Sequence, residues 1–225
     1  AASSAQAVLL SELVNGGSIT ANDKLFDQWE AFGITSDFSD INLANIDVTP
    51  LAVADPLAGP GPGLQFNVLN GEMDVFGDGV FAFKDLSIDF RVTIIDDPNT
   101  LQDESNYLIK DNSLALTGFE VFGPFSAGVG IVETIATFPN PTDEIFDLGF
   151  KDVEASQVFF DPFLDLSDSA EFDPQNQIYV HKDILVWAID DIDGDFASLT
   201  GFSQRFSQVP EPATAALLAL GLVGV

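Results

Sequence analysis

The feature that most constrains the fold of this chain is a run of strict alternation between apolar and polar side chains. Leu86, Ile88, Phe90, Val92 and Ile94 are apolar, and the four residues between them are polar. Successive side chains of a β-strand point to opposite faces of the sheet, so a period of two predicts a strand with one buried face.

Short segments rich in β-branched and aromatic residues recur from Leu64 onward, and clusters of Gly, Pro, Asn or Asp separate them. This pattern is typical of antiparallel sheets. Besides 64–68 and the alternating run, the candidate strands are residues 73–76, 79–84, 106–110, 113–122, 127–138, 154–160, 177–188 and 196–206. We interpret 96–106, 138–144 and 161–175 as acidic loops.

These segments together predict an all-β fold, an antiparallel β-sandwich of about ten strands. Residues 2–14 predict a short N-terminal helix that ends at Gly16 and Gly17, and an apolar tail closes the chain. We divide the sequence into a lead-in with the helix (1–22), the sandwich domain (23–207) and a C-terminal segment (208–225).

Charge excludes several functions. The 225 residues include 7 Lys and Arg against 36 Asp and Glu, a formal net charge of −29. Binding to nucleic acid or anionic lipid needs clustered Lys and Arg, so we expect no nucleic-acid partner. The chain is nevertheless 46% hydrophobic, with 21 Phe, which predicts a folded domain rather than a disordered one.

Residue types exclude further chemistry. There is no cysteine, which removes disulfides, thiolate nucleophiles and cysteine metal sites. His181 is the single histidine, so a multi-histidine metal site is impossible and any Ser-His-Asp mechanism would depend on that residue. We therefore expect no enzymatic activity and no certain cofactor.

The most specific motif lies at the C-terminus. Pro210, Glu211 and Pro212 precede an uncharged apolar run, residues 213–225. This arrangement resembles the PEP-CTERM sorting signal of exported bacterial proteins, in which a Pro-Glu-Pro motif precedes a membrane-spanning helix and an Arg-rich end. The resemblance implies exosortase and the membrane as partners during sorting, and a location at the surface or outside of a Gram-negative-type bacterium.

Other segments agree with export. Ala1–Ala7 is rich in small residues and resembles the region around a signal peptidase site, so the mature chain would start at Ala1 or at Val8. Residues 9–26, 111–116 and 202–208 are similar to a recurrent β-rich group of PEP-CTERM proteins, for which the resemblance implies no common activity.

The apolar tail has two interpretations. The 13 residues from Ala213 to Val225 are fewer than the roughly 20 that span a bilayer as a helix. The tail either docks on its own domain or serves sorting and then joins copies into a homo-oligomer or polymer. The candidate assembly residues are Leu217, Leu218, Leu220, Leu222, Val223 and Val225.

The best ligand candidate is an Asp-rich segment. Asp190, Asp191, Asp193 and Asp195 surround Gly194, and alternating carboxylates are typical of Ca²⁺ loops. The segment lacks the Gly and bidentate Glu of an EF-hand at the required positions. A hairpin turn between the flanking strands accounts for the same residues, so a possible Ca²⁺ site and a plain turn both remain open.

The sequence thus predicts an exported structural protein of the surface or extracellular matrix that assembles through its tail. A calcium- or glycan-binding surface module is the first alternative. A glycoside hydrolase with paired carboxylates is the second, although no pair stands out. We expect Tyr179 and Trp187 in the core. The five lysines are expected in local ion pairs, with an internal Lys–Asn crosslink as a further possibility.

Overall fold

The computed structural model describes residues 6–37, 39–55, 57, 59–96, 107–190 and 194–211. Within these ranges it contains fourteen strands, one short α-helix and one turn of 3-10 helix at Leu43–Asn45. The elements are β1 (Val8–Leu9), α1 (Leu10–Val14), β2 (Ile19–Ala21), β3 (Lys24–Thr35), β4 (Ile46–Leu51), β5 (Gly63–Val68), β6 (Asp74–Phe76), β7 (Ala82–Ile94), β8 (Tyr107–Phe122), β9 (Ser126–Ala136), β10 (Gly149–Val158), β11 (Asp161–Asp165), β12 (Ser167–Gln175), β13 (Gln177–Ala188) and β14 (Phe196–Pro210).

The strands form two antiparallel sheets that face each other. Sheet A has the order β1-β4-β5-β14-β8-β12, with the short β6 also paired to β14. Sheet B has the order β11-β10-β9-β13-β7-β3-β2. The prediction of an all-β sandwich is confirmed, with fourteen strands in the described residues where the sequence suggested about ten.

The alternation in the sequence sets which side of each strand is buried. In β7, Leu86, Ile88, Phe90 and Val92 face the interior and are at most 2% exposed, while the polar residues between them face outward. Strand β13 shows the same alternation over the range expected, 177–188. These two strands pair along their full length and form the centre of sheet B.

One acidic segment was assigned wrongly. Residues 161–175 were expected to be a loop, but they form β11 and β12, the outermost strands of sheets B and A. All five residues of β11 are exposed. A strand that is exposed on both faces has no apolar alternation, so its sequence resembles that of a loop.

The N-terminal residues are part of the sandwich. Strand β1 pairs with β4, β2 pairs with β3, and the helix α1 buries Leu10 and Leu13 in the common core. The helix covers only Leu10–Val14 of the expected 2–14. At the other boundary, β14 continues to Pro210, past the limit drawn at residue 207.

Strand β14 gives the sandwich two distinguishable ends. It starts at Phe196, opposite Phe122 at the end of β8, and finishes at Pro210, opposite Tyr107 at the start of β8. Fifteen residues of strand place these ends roughly 45 Å apart. We call the Phe196 end the apolar end and the Pro210 end the signal end.

Candidate functional site

The sorting motif begins at the signal end. Pro210 is the last residue of β14 and pairs with Tyr107, and Glu211 follows it outside the sheet. Pro212 and the tail residues Leu217, Leu218, Leu220, Leu222, Val223 and Val225 lie outside the described residues. In the ranges that the structure describes, no helix is long and apolar enough to cross a membrane.

The Asp-rich segment lies at the apolar end, where it connects β13 of sheet B to β14 of sheet A. The expected hairpin is therefore wrong, because these two strands belong to different sheets. Asp195 is 1% exposed, and its carboxylate accepts hydrogen bonds from the backbone N–H groups of Phe125, Ser126 and Asp190 at 3.1, 2.8 and 3.0 Å. Burial raises the pKa of Asp195, but these N–H donors outweigh it and lower the pKa below its usual value.

These bonds give Asp195 a structural role. Its two carboxylate oxygens connect the start of β9 to the segment that runs from β13 of sheet B to β14 of sheet A. A buried carboxylate needs such hydrogen-bond donors. Asp191 and Asp193 lie outside the described residues, and within the described ranges no three acidic or histidine side chains are placed to hold a metal ion. The Ca²⁺ site therefore stays a prediction.

Large apolar side chains are exposed at the apolar end. Phe159 and Phe160 are 71% and 74% exposed at the turn between β10 and β11. The rings of Phe125 and Phe159 are 5.9 Å apart, and hydrogen bonds between neighbouring loops hold this end together. The exposed residues that share this end are Phe76, Val80, Phe81, Phe122, Phe125, Phe159, Phe160 and Phe163.

The turn that carries Phe159 and Phe160 has an unusual backbone. Val158 pairs with Asp161, so these two residues form the whole connection, and both have positive φ angles of 49° and 65°. Two-residue hairpin turns of this kind favour Asn-Gly, because larger side chains are strained at positive φ. Both solvation and backbone geometry therefore disfavour phenylalanine at these two positions.

A second cluster lies on the outer face of sheet B. The ring of His181 is 2.9 Å from the Asp89 carboxylate and 3.8 Å from that of Asp143. The hydrogen bond to Asp89 raises the pKa of His181. Burial and a hydrogen bond to the Asp183 carboxyl raise the pKa of Asp85 to about 7. Residues from β7, β13 and the loop after β9 meet here, so no local sequence pattern predicts the cluster.

This cluster differs from the pair that glycoside hydrolysis needs. The two carboxyl groups of a glycosidase are about 5 to 9.5 Å apart, whereas Asp85 and Asp183 are close enough to share a hydrogen bond. The neighbouring cavity, lined by Glu30, Asp89 and Tyr179, has a volume of about 190 Å³. Ligand pockets commonly exceed about 300 Å³.

The two aromatic residues expected in the core also lie on this outer face. Tyr179 borders the small cavity. Trp187 is half-buried and packs over Gly128, because a Cβ atom on that glycine would lie 2.4 Å from the indole ring. The alternation of β13 explains the placement, because Ile178, Val180 and Val186 take the inward positions.

Comparison with known families identifies the C-terminal segment. Residues 208–225 match the PEP-CTERM protein-sorting motif. The chain therefore carries a PEP-CTERM sorting signal, which implies recognition by exosortase during sorting and supports export to the cell envelope or beyond. The matched region starts in the last residues of β14, so the motif leaves the sandwich directly from an ordered strand. No curated protein matches the sequence.

Solved structures show only remote similarity. An arabinose-bound MgGH51 α-L-arabinofuranosidase has 11% identity and a TM-score of 0.22, over 81% of this chain and 23% of that protein. A family two carbohydrate esterase from Cellvibrio japonicus has 12% identity and a TM-score of 0.20, over 82% and 36%. A loop-swap mutant of Necallimastix patriciarum Xyn11A has 5% identity and a TM-score of 0.23, over 87% and 95%. This chain spans about a quarter to a third of the first two, and TM-scores this low carry no argument on activity.

Proposed function

We propose that this exported protein is a non-enzymatic structural component of the cell surface or extracellular matrix, whose copies join head to tail. The observation that carries the proposal is the exposed, strained Phe159–Phe160 turn at the end of the sandwich opposite the sorting motif. Exposed apolar groups of this kind mark sites of association.

The contact would join the two ends of different copies. The apolar residues that follow Glu211 start from the signal end of one copy, and the Phe159–Phe160 turn forms the apolar end of the next. A contact between two different surfaces is heterologous, and such a contact builds open chains when its rotation does not close a ring. This geometry supports a polymer rather than a symmetric dimer.

Charge opposes this association. Copies with a formal net charge of −29 repel each other over roughly a Debye length, about 10 Å at 0.1 M salt. Asp78, Asp161 and Asp190 lie around the apolar end. We therefore expect assembly to increase with ionic strength, as measured by light scattering of the purified full chain between 0.05 and 1 M NaCl.

Two variants separate the two halves of the contact. Phe159→Asn/Phe160→Gly installs the residues that favour this turn, so it removes the rings without weakening the hairpin. Deletion of 212–225 removes the apolar segment and leaves β14 intact. Each variant alone should be monomeric by light scattering and by electron microscopy.

Mixing the two variants makes the test specific. One still has the apolar segment and the other still has the Phe turn, so the mixture should form pairs that cannot extend. Phe32→Asn is the matched control, because Phe32 is 70% exposed on the outer face of sheet B and should be dispensable. Filaments that persist in either variant would rule out head-to-tail joining.

A further inference from the structure

The loop between β9 and β10, residues 137–148, is held together by its own hydrogen bonds. At its base, the Asp147 carboxylate accepts hydrogen bonds from the backbone N–H and the hydroxyl of Thr137 at 2.8 and 2.7 Å. At its tip, Thr142 and Ile145 exchange two backbone hydrogen bonds of 3.1 and 3.0 Å. These bonds fix the shape of the loop, so its position on the sheet depends on other contacts.

The loop lies against the outer face of sheet B. Pro141 is buried although both of its neighbours in the chain are exposed. The loop forms one wall of the cavity of about 190 Å³, and β3 and β7 form the opposite wall. The residues that face each other across this cavity are Pro139, Asn140 and Pro141 of the loop and Gln28, Glu30 and Asp89 of the strands.

A histidine joins the loop to the sheet. His181 Nδ1 lies 2.9 Å from Asp89 Oδ1 on the neighbouring strand, and His181 Nε2 lies 3.8 Å from Asp143 Oδ1 at the tip of the loop. A protonated imidazole has an N–H on both ring nitrogens and a positive charge, so it attracts both carboxylates. A neutral imidazole has one N–H and no charge. The attraction between the loop and the sheet therefore depends on the proton of His181.

The other charged groups near His181 are mostly acidic. Arg91 lies on the same face, but its guanidinium is held by the Asp27 carboxylate at 2.8 and 2.7 Å. Thr134 of β9, which pairs with His181, carries no charge. The ionisable groups around this site are Asp85, Asp89 and Arg91 of β7, Asp27 and Glu30 of β3, Tyr179 and Asp183 of β13, and Asp143 and Glu144 of the loop.

A rise of pH through neutrality changes two charges at this site in the same direction. The hydrogen bond to Asp89 raises the pKa of His181, and burial together with the Asp183 carboxyl raises the pKa of Asp85 to about 7. Above these values His181 is neutral and Asp85 is ionised. The carboxylate of Asp143 then faces carboxylates of the sheet without the imidazolium between them, and like charges repel.

The docked loop also covers a hydroxyl group that has no partner. Thr134 shares the outward side of sheet B with His181, yet it is 0% exposed. A side chain that points out of a sheet is buried only when another segment lies over it, and the loop begins three residues later. The Thr134 hydroxyl has no hydrogen bond within the described residues. Burial of an unpaired hydroxyl is unfavourable, so this contact opposes docking.

We propose that residues 137–148 form a pH-controlled lid, which is docked on sheet B while His181 is charged and lifts from it when His181 is neutral. The bonds of Asp147 keep the base closed, so the tip moves. Lifting exposes Thr134 and opens the wall of the cavity. The protein would thus present different surfaces below and above neutral pH. This proposal does not depend on head-to-tail assembly.

Hydrogen exchange of the purified full chain tests the proposal, with mass spectrometry as the readout and correction for the intrinsic effect of pH. Peptides from 137–148 should exchange faster at about pH 9 than at about pH 5, on either side of the ordinary histidine pKa of about 6.5. Peptides from the centres of β13 and β14 should keep their protection at both pH values.

NMR spectroscopy gives an independent measurement of the same coupling. His181 is the only histidine, so its ring signals report its pKa directly. Asp143→Asn removes the charge of the lid tip and should lower this pKa. By linkage, each unit of that decrease should correspond to an increase of about tenfold in lid opening between acid and alkaline pH.

Two variants and a control assign the effect to the charge pair. His181→Gln should give fast exchange of the lid at both pH values, because the ring charge is absent. Asp143→Asn should make lid exchange independent of pH. Asp152→Asn is the matched control, because Asp152 is an exposed acid on β10 that also points outward from sheet B; it should keep the pH dependence.

Three results would overturn the proposal. The first is lid exchange that, after correction, is the same at both pH values in the unmodified chain. The second is a pH dependence that persists in His181→Gln with its full size. The third is an equal loss of protection in β13 and β14, which would indicate unfolding of the whole sandwich in place of a local movement.

Discussion

The two halves of the sandwich interior are filled differently. On the side of β3, β5 and β7, aromatic rings stack: Phe66 lies 4.4 Å from Phe202, and Trp29 lies 4.6 Å from Phe90. On the side of β8, β9 and β10, aliphatic side chains surround five buried polar ones: Lys151, Glu133, Lys182, Asn112 and Gln204. Both halves belong to the same two sheets and are equally inaccessible to solvent.

Strand β14 shows the contrast within three residues. Phe202 and Gln204 are both at most 1% exposed and point to the same side, but Phe202 has ring partners and both amide atoms of Gln204 lack hydrogen bonds within the described residues. Buried polar groups without hydrogen-bond partners, such as the Gln204 amide, do not add to the stability of the fold. The difference teaches that apolar packing stabilises this fold, whereas buried polar groups without hydrogen-bond partners reduce its stability.

The largest effect is expected in the aromatic half. Phe202→Ala removes a stacked ring from a close-packed site and should reduce the free energy of unfolding by about 3 to 5 kcal/mol. Urea denaturation followed by Trp fluorescence measures it. A loss below about 1 kcal/mol would contradict the view that this half carries the stability.

An opposite effect is expected two residues away. Gln204→Leu replaces a buried amide without partners by an apolar group of similar size, and should increase the free energy of unfolding by about 1 to 3 kcal/mol. The same denaturation experiment measures it, with Gln65→Leu, a half-exposed site on β5, as the control. Destabilisation by Gln204→Leu would show that the polar half has partners which stabilise it.

The smallest expected effects are changes of stability with pH. Their sign differs between the groups on the outer face of sheet B and the lysines in the interior. Asp85 and His181 bind protons more tightly in the folded chain, since both pKa values are raised. Their stabilisation is present below their unfolded pKa values and is lost as pH rises through the folded ones, for Asp85 about 7. The temperature of the thermal unfolding midpoint should therefore decrease as pH rises from about 4 to about 7. Asp85→Asn should make this decrease smaller.

Above neutral pH the buried lysines act in the other direction. The folded pKa of Lys182 lies well below its unfolded value, so the folded chain binds fewer protons and stability should rise as pH increases toward 10.5. Lys182→Met should remove most of this rise. An unchanged pH profile in Lys182→Met would contradict the burial of a titrating amine.

The buried ion pairs of Glu133 with Lys151 and Lys182 had a partial signal in the sequence. Glu133 lies between Ile131 and Ile135, and Lys182 between Val180 and Ile184, at the inward positions of alternating strands. A charged residue in an inward position predicts a buried charge that needs a partner. We expected the lysines in local ion pairs, and such pairs are present: Lys24 with Asp23, Lys110 with Asp111, and Lys151 and Lys182 with Glu133.

By itself, the sequence determined properties that depend on local pattern. Alternation and turn residues specified an all-β sandwich, the residue types excluded thiol and multi-histidine chemistry, and residues 208–225 specified sorting and export. Only the tertiary structure decided which distant residues meet. Glu133 meets Lys151 and Lys182, and Asp85 meets Asp183, through strand registers that join segments far apart in the chain. Such registers are set by the packing of whole sheets, so no local window of sequence contains them.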